Sequence, residues 1–414
     1  YCFFSAAGSS LFYGECSVVR NLRKTHLMYY TNQDKGLHMF RLYHLKNFNF
    51  RLVICLMALS GIGVLLVGSA KESLQTRQLI GVIFGLAVML IVSLIDFSWL
   101  LNFYWIMYGF NLLMLLFVIV SPWAKTTGGA TRWINIFGFQ FQPSELSKIL
   151  LILFFAKYLM VHENELNKLK TIVKSLILIS IPLALVYSQP DMKNTLTIAA
   201  LFCILMYVAG LSYKIIGGVL LIGIPLAVIY LVLVTQTNLP IINDYQRNRI
   251  MTFFYSEDET YSDSRTQQNN SIMAIGSGQL TGKGLNTTSV SANNGNFISE
   301  IQTDFIYAVA GEELGFIGSA AIILLELFIS LECIFNGRKA KDLSGTLICC
   351  GMGALIMIQS FINICVATGL FPNTGTPLPF VSYGLTSLVS LYIGIGCVLN
   401  VGLQSRIYPG GLKR

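Results

Sequence analysis

Three groups of ionisable residues stand inside or at the edges of long apolar runs, where a charge is costly and needs a reason. The first is Glu145 and Lys148 in FQPSELSK. Residues three apart share one face of a helix, so this acid and this base can pair. Pro143 suits the first turn of such a helix, and Ser144 or Gln142 can cap it. Two readings stay open for the pair: an ion pair sealed inside a bundle, or a charged cavity that handles a polar headgroup.

The second group lies in EIQTDFIYAVAGEELG, where Asp304 opens a long apolar run. A carboxylate there can act as a general base, or it can cap the helix and face its dipole. Glu312 follows eight residues later, roughly 12 Å along a helix and about 80° around it. It is expected to look into the same cavity, with Glu313 near the opposite face.

The third group sits in connections. Asp191 in SQPDMKNT either caps the following helix or adds to a charged site. Arg247 and Arg249 in YQRNR, beside Tyr245, suit bidentate contacts to phosphate or carboxylate, or form a solvated face. Gly276, Gly278, Gly282 and Gly284 in IGSGQLTGKGLN match no phosphate-cradling pattern, which excludes a P-loop nucleotide site. Tight turns are the expected use of these glycines.

The elements that must position these residues follow from composition. The chain has 414 residues, 54% hydrophobic and 12% charged, against roughly 25% charged in a soluble protein. That excludes a disordered chain and argues against soluble domains. The net charge of +8 reads as membrane topology rather than nucleic-acid binding. Runs long enough to span a bilayer lie near 52–70, 78–95, 99–121, 143–161, 172–188, 194–211, 215–235, 303–335, 345–371 and 379–403. The expectation is an all-α polytopic membrane protein of ten helices. Residues 236–302 form a long polar insert between helices seven and eight. No C-x-x-C pair occurs and every histidine lies outside the apolar runs, so no metal site is predicted and the cysteines read as small core hydrophobes.

Residues 1–38 lack a spanning pattern and precede Met39, so they are expected to be an extension outside the membrane domain 39–414. With the N-terminus inside, the inner connections carry Lys157, Lys168, Lys170, Lys174, Lys214, Arg338, Lys339 and Lys341. The short outer ones carry Lys71, Arg77, Lys125, Arg132 and Lys193. The positive-inside rule then sets both termini in the cytoplasm and the insert 236–302 outside.

GGATRWINI, FQPSELSK, SQPD, YQRNRI, IGSGQLTGKGL, EIQTDFIYAVAGEELGFIG and GTPLPFVSYGLTSL, in this order, resemble the SEDS family (shape, elongation, division and sporulation). The resemblance runs from about Phe40 to Tyr408. It implies a ten-helix bundle with a large extracytoplasmic loop, in the bacterial plasma membrane. It also implies a peptidoglycan glycosyltransferase that polymerises lipid II with a class B penicillin-binding protein. By motif, the essential aspartate of that family maps to Asp304. The acid and base of its Q-P-S-E-L-x-K motif map to Glu145 and Lys148, the arginine of R-W-I to Arg132, and the first acid of E-E-L-G to Glu312. Arg132, Lys148 or the YQRNR arginines would hold the pyrophosphate. A divalent cation, Mg or Mn, would suit the same role, although the sequence offers no dedicated cage. The chain departs from the family pattern at Leu385, at Ser299 and in PDMKNT, where P-D-L-G-T is common. A lipid II flippase and a non-catalytic scaffold for a penicillin-binding protein are the competing readings. A polymerase needs its acid near the outer face, and a flippase needs charge spread through the membrane depth.

Overall fold

The computed structural model describes residues 47–121, 124–127, 130–136, 139–236, 251, 262–287, 298 and 300–404. The extension 1–38, together with Tyr245, Arg247 and Arg249, lies outside the described residues. So do Ser299 and much of the insert.

Eleven helices form among the described residues: α1 Phe50–Ala70, α2 Glu72–Ser93, α3 Phe97–Val120, α4 Pro143–Val161, α5 Leu169–Ser188, α6 Met192–Val208, α7 Tyr213–Gln236, α8 Ser262–Ser277, α9 Ile306–Arg338, α10 Leu343–Ala367 and α11 Leu385–Leu403. Of these, α1, α2, α3, α5, α9, α10 and α11 are each long and apolar enough to cross a bilayer. The chain is therefore a mostly helical, multi-pass membrane protein.

Ile80, Ile83, Phe84 and Ile91 of α2 and Ile106 and Leu113 of α3 are exposed. Such faces suit lipid, which is as apolar as they are. Helices then associate through close packing of small residues and through buried polar contacts. The contact between α2 and α11 shows both. A Cβ on Gly85 would come within 2.2 Å of the Tyr392 ring, and one on Gly396 within 2.8 Å of the Met89 carbonyl oxygen. The Tyr392 hydroxyl shares a 2.8 Å hydrogen bond with Ser60 of α1. At the far end of α11, Asn400 accepts from the Phe97 amide at 2.9 Å and donates to the Ser93 carbonyl at 2.8 Å, locking the turn from α2 to α3.

Three features differ from the sequence reading. Between α3 and α4 the chain forms a small antiparallel sheet, β1 Ala124–Thr127, β2 Ala130–Ile136 and β3 Phe139–Phe141, in the order β1-β2-β3. Ile134 is the centre of the register, opposite Ala124 and Phe141. β1 and β3 hold only four and three residues, and β2, ATRWINI, does not alternate strictly between apolar and polar residues, so the sequence carries no clear period of two.

The start of the last helix also moves. Pro377–Gly384 stays non-helical, and α11 begins at Leu385 rather than near 379.

The expected single run 303–335 is α9, which begins at Ile306 and breaks at Gly315, whose φ of 66° and ψ of −163° only glycine adopts readily. The turn after α8 occupies the break. The Phe316 amide donates to the Gln279 carbonyl at 2.9 Å and the Ile317 amide to the Leu280 carbonyl at 3.1 Å. In return, the Lys283 and Gly284 amides donate to the Glu312 and Glu313 carbonyls, each at 3.0 Å. Backbone groups freed within a bilayer must find such partners. A Cβ on Gly278 would stand 1.9 Å from the Gly311 carbonyl oxygen, and one on Gly282 2.1 Å from that of Glu313. So Gly278 and Gly282 permit backbone-to-backbone docking, beyond the turns expected of them.

Candidate functional site at one end of the bundle

The connectivity brings the starts of α4, α6, α9 and α11 to one end of the bundle. The sheet and the end of α10 join them there. The residues singled out in the sequence gather mainly at this end.

Asp191 is fully buried just before α6. Its carboxylate accepts from Gln142 Nε2 at 2.8 Å, Ser144 Oγ at 2.9 Å and Asn194 Nδ2 at 2.9 Å. The Arg132 guanidinium of β2 stands 3.8 Å away. Burial alone would raise the pKa of Asp191, but the charges of Lys193 and Arg132 and these hydrogen bonds hold it below the usual carboxylate range. The expected caps are corrected here. The Asp191 carboxylate accepts from no backbone amide of the first turn of α6, and the side chains of Gln142 and Ser144 make no capping bond to α4. All three spend their polar atoms on one another. Pro143 does occupy the first turn of α4.

Glu145 and Lys148 form a 2.8 Å ion pair on α4, with side chains only 3% and 1% exposed. Beneath Lys148 lies a small apolar cavity lined by Leu151, Phe155, Ile179, Ile198 and Phe202. A charge buried this deeply persists only with a well-placed partner.

Asp304 is half-buried in the turn ahead of α9. That turn is held by its backbone. Asn363 Nδ2 of α10 donates to the Asp304 carbonyl at 2.9 Å, Ser382 Oγ to the Thr303 carbonyl at 2.6 Å, and the Tyr383 amide to the Gln302 carbonyl at 2.9 Å. The position that caps α9 is Phe305, and no side chain bonds the first-turn amides. Asp304 is thus displayed by a fixed backbone without being spent as the helix cap.

Glu312 takes a different place from the one expected. Asp304 precedes the helix, so the helical rotation calculated between the two acids does not apply. Glu312 pairs with Lys283 of the insert at 2.8 Å, and Glu313 accepts from Ser69 of α1. These two acids help fasten the insert to the bundle.

Lys193 was not expected in the site. It lies on the first turn of α6, buried, and its ammonium donates to the Gly375 carbonyl. It stands within electrostatic reach of Arg132, Asp191, Asp304 and Glu145. The signal was present in the sequence, because Lys193 lies in PDMKNT, where the family pattern has P-D-L-G-T. Ser382 lies in the quoted segment GTPLPFVSYGLTSL, whereas Asn363 had no comparable signal. Among the described residues no group of three or more His, Cys, Asp and Glu side chains can hold a metal ion.

The fold and site define a polytopic membrane protein with a buried, charge-rich site at one end of its helical bundle. The chain belongs to the cell cycle protein family of FtsW, RodA and SpoVE, whose pattern matches residues 38–407. It is 33% identical over 376 residues to the probable peptidoglycan glycosyltransferase FtsW of Geobacter metallireducens, covering 87% of this chain and 96% of that protein. It is 29% identical over 357 residues to the peptidoglycan glycosyltransferase MrdB of Escherichia coli K12, covering 84% of this chain and 92% of that one. A solved chain from a peptidoglycan synthase complex that coordinates polymerization and crosslinking superposes with a TM-score of 0.70 at 25% identity, covering 86% of this chain and 97% of that one.

Proposed function

We propose that this chain is a peptidoglycan glycosyltransferase that polymerises lipid II, with Asp304 as the general base. It works beside a class B penicillin-binding protein in the bacterial plasma membrane. The bundle crosses the membrane ten times, adding α4, α6 and α7 to the seven long apolar helices. Both termini are cytoplasmic, and the site end, with the sheet and the insert 236–302, faces outward. Family membership, the names borne by the relatives and the synthase complex containing the similar chain support this reading.

In the reaction the sugar 4-hydroxyl of one lipid II attacks the anomeric carbon of the growing chain. A carbon–oxygen bond forms there as the bond to undecaprenyl pyrophosphate breaks. Asp304 takes the hydroxyl proton. Arg132 stabilises the charge that builds on the leaving pyrophosphate, and Asp191 holds Arg132 in place. Glu145 and Lys148 support the floor of the site.

The observation that carries the proposal is the fixed display of Asp304 beside buried cations at one end of the bundle. Arg132, Glu145, Lys148, Asp191, Lys193 and Asp304 gather towards that end, while Glu326 is buried farther along α9; this weighting suits chemistry at a surface better than passage of a headgroup through the membrane depth. Lipid II polymerisation by the purified protein with its partner, wild type against Asp304→Ala, tests it. Loss of product with retained folding is expected, and undiminished product would overturn the assignment.

A further inference from the structure

We propose that Lys193 is an additional substrate-binding residue, whose ammonium holds phosphate oxygens of the diphosphate-linked lipid beside Asp304. The proposal rests on the glycosyltransferase reading above.

A buried ammonium is expensive unless its charge is matched by contact. Lys193 is only 8% exposed. Yet two of the acids around it, Glu145 and Asp191, already have direct partners. Glu145 pairs with Lys148. Asp191 receives Gln142, Ser144 and Asn194 and faces Arg132. Lys193 forms no ion pair within 4.0 Å with either acid among the described residues. Its hydrogen bond goes to a neutral backbone carbonyl, that of Gly375. An ammonium has three donors, and this contact uses one.

The position of that ammonium is built. Gly375 has a φ of 72°, and its amide donates to Asn373 Oδ1 at 3.1 Å. The turn therefore aims a carbonyl at Lys193 from the segment between α10 and α11. Across the site, Arg132 Nε is buried and has no hydrogen-bond partner among the described residues. Two cations with donors to spare thus share one end of the bundle with the half-buried Asp304. Such donors match the oxygens of a diphosphate, which they bind through charge-assisted hydrogen bonds. A preset ammonium also stabilises charge as it develops on the leaving diphosphate.

The test compares wild type, Lys193→Met and Lys193→Arg. Polymerisation is measured over a range of lipid II and Mg concentrations. Thermal stability is measured in EDTA with farnesyl diphosphate or farnesol as probe. Lys193→Met is expected to lose roughly 10- to 100-fold in kcat/KM at low Mg, the loss of one charge-assisted hydrogen bond, and to recover part of it at high Mg. Lys193→Arg is expected to stay near wild type. Farnesyl diphosphate should raise the Tm of wild type more than farnesol does, and this difference should vanish in Lys193→Met. Polymerisation by Lys193→Met within twofold of wild type at every Mg concentration would overturn the proposal. Equal losses in Met and Arg would also overturn it, because shape rather than charge would then matter. If Lys193→Met does not fold, the wild-type comparison decides: equal shifts from farnesyl diphosphate and farnesol refute the anion site. A wild type that polymerises nothing would instead refute the glycosyltransferase reading on which the proposal stands.

Discussion

The Arg132 guanidinium lies 3.8 Å from the Asp191 carboxylate, so a strand of the small sheet is tied to the turn between α5 and α6. Asp191 is fully buried with three further hydrogen bonds, while Arg132 keeps 13% of its side chain exposed. The acid is thus the anchor of the contact and the arginine its outward arm.

Removing the anchor is therefore expected to cost more than removing the arm. Asp191→Ala leaves Gln142, Ser144, Asn194 and Arg132 facing an empty position. It should destabilise by about 3–5 kcal/mol, the range for a broken buried pair. Arg132→Gln should cost less, because three donors still satisfy the carboxylate. Thermal unfolding of the purified variants checks the order. The lowered pKa of Asp191 gives stability that is full above the unfolded value of about 3.9 and is lost as pH falls through the folded value. The gap between wild type and Asp191→Asn should therefore stay constant from pH 5 to 8.

The pair Glu145–Lys148 should behave as one unit. Either single alanine variant leaves a buried charge without its partner and should cost about 3–5 kcal/mol. Replacing both by apolar residues of similar volume, Glu145→Leu with Lys148→Met, should recover most of that stability. A double-mutant cycle in thermal unfolding measures the coupling. Single variants as stable as wild type would make the pair peripheral.

Gly315→Ala tests the docking of the insert. A Cβ there would meet the Gly282 nitrogen at 2.3 Å, in a backbone conformation reserved for glycine. Strain alone is worth about 1–3 kcal/mol, and the turn after α8 should detach. Limited proteolysis is expected to cut the insert faster in this variant. Gly276→Ala, with nothing within 4 Å of the added carbon, should leave the cleavage rate unchanged.

Leu280 is 60% exposed on the same turn. With the native thiols replaced, a cysteine at Leu280 should react with an impermeant thiol reagent added to intact cells from outside. Labelling only after the inner face is opened would reverse the proposed orientation.

Much of this architecture could be read from the residues. The apolar runs marked the long helices because spans depend on length and composition alone. The contact of Glu145 with Lys148 was legible because it needs only the geometry of one helix. What escaped depends on distant segments. Lys193 reads as an ordinary charge at a turn until the segment at Gly375 is folded onto it. Gly315 reads as one more helical glycine until the insert supplies amides for the broken turn. Asp191 and Ser144 read as caps because capping is the local choice. The two meet each other instead, with Gln142 and Arg132 also turned onto Asp191, and these contacts form only through tertiary structure.

Asp304→Asn measures the central claim most directly. Asparagine keeps the size of the side chain and caps a helix about as well as aspartate, but it is not a base. The backbone bonds from Asn363 and Ser382 that fix this turn do not involve the replaced carboxylate. The variant should fold with an unchanged Tm and bind its partner. Lipid II polymerisation should fall by roughly 10²- to 10⁴-fold, the usual contribution of a general base. Near-wild-type polymerisation by folded Asp304→Asn would contradict the account.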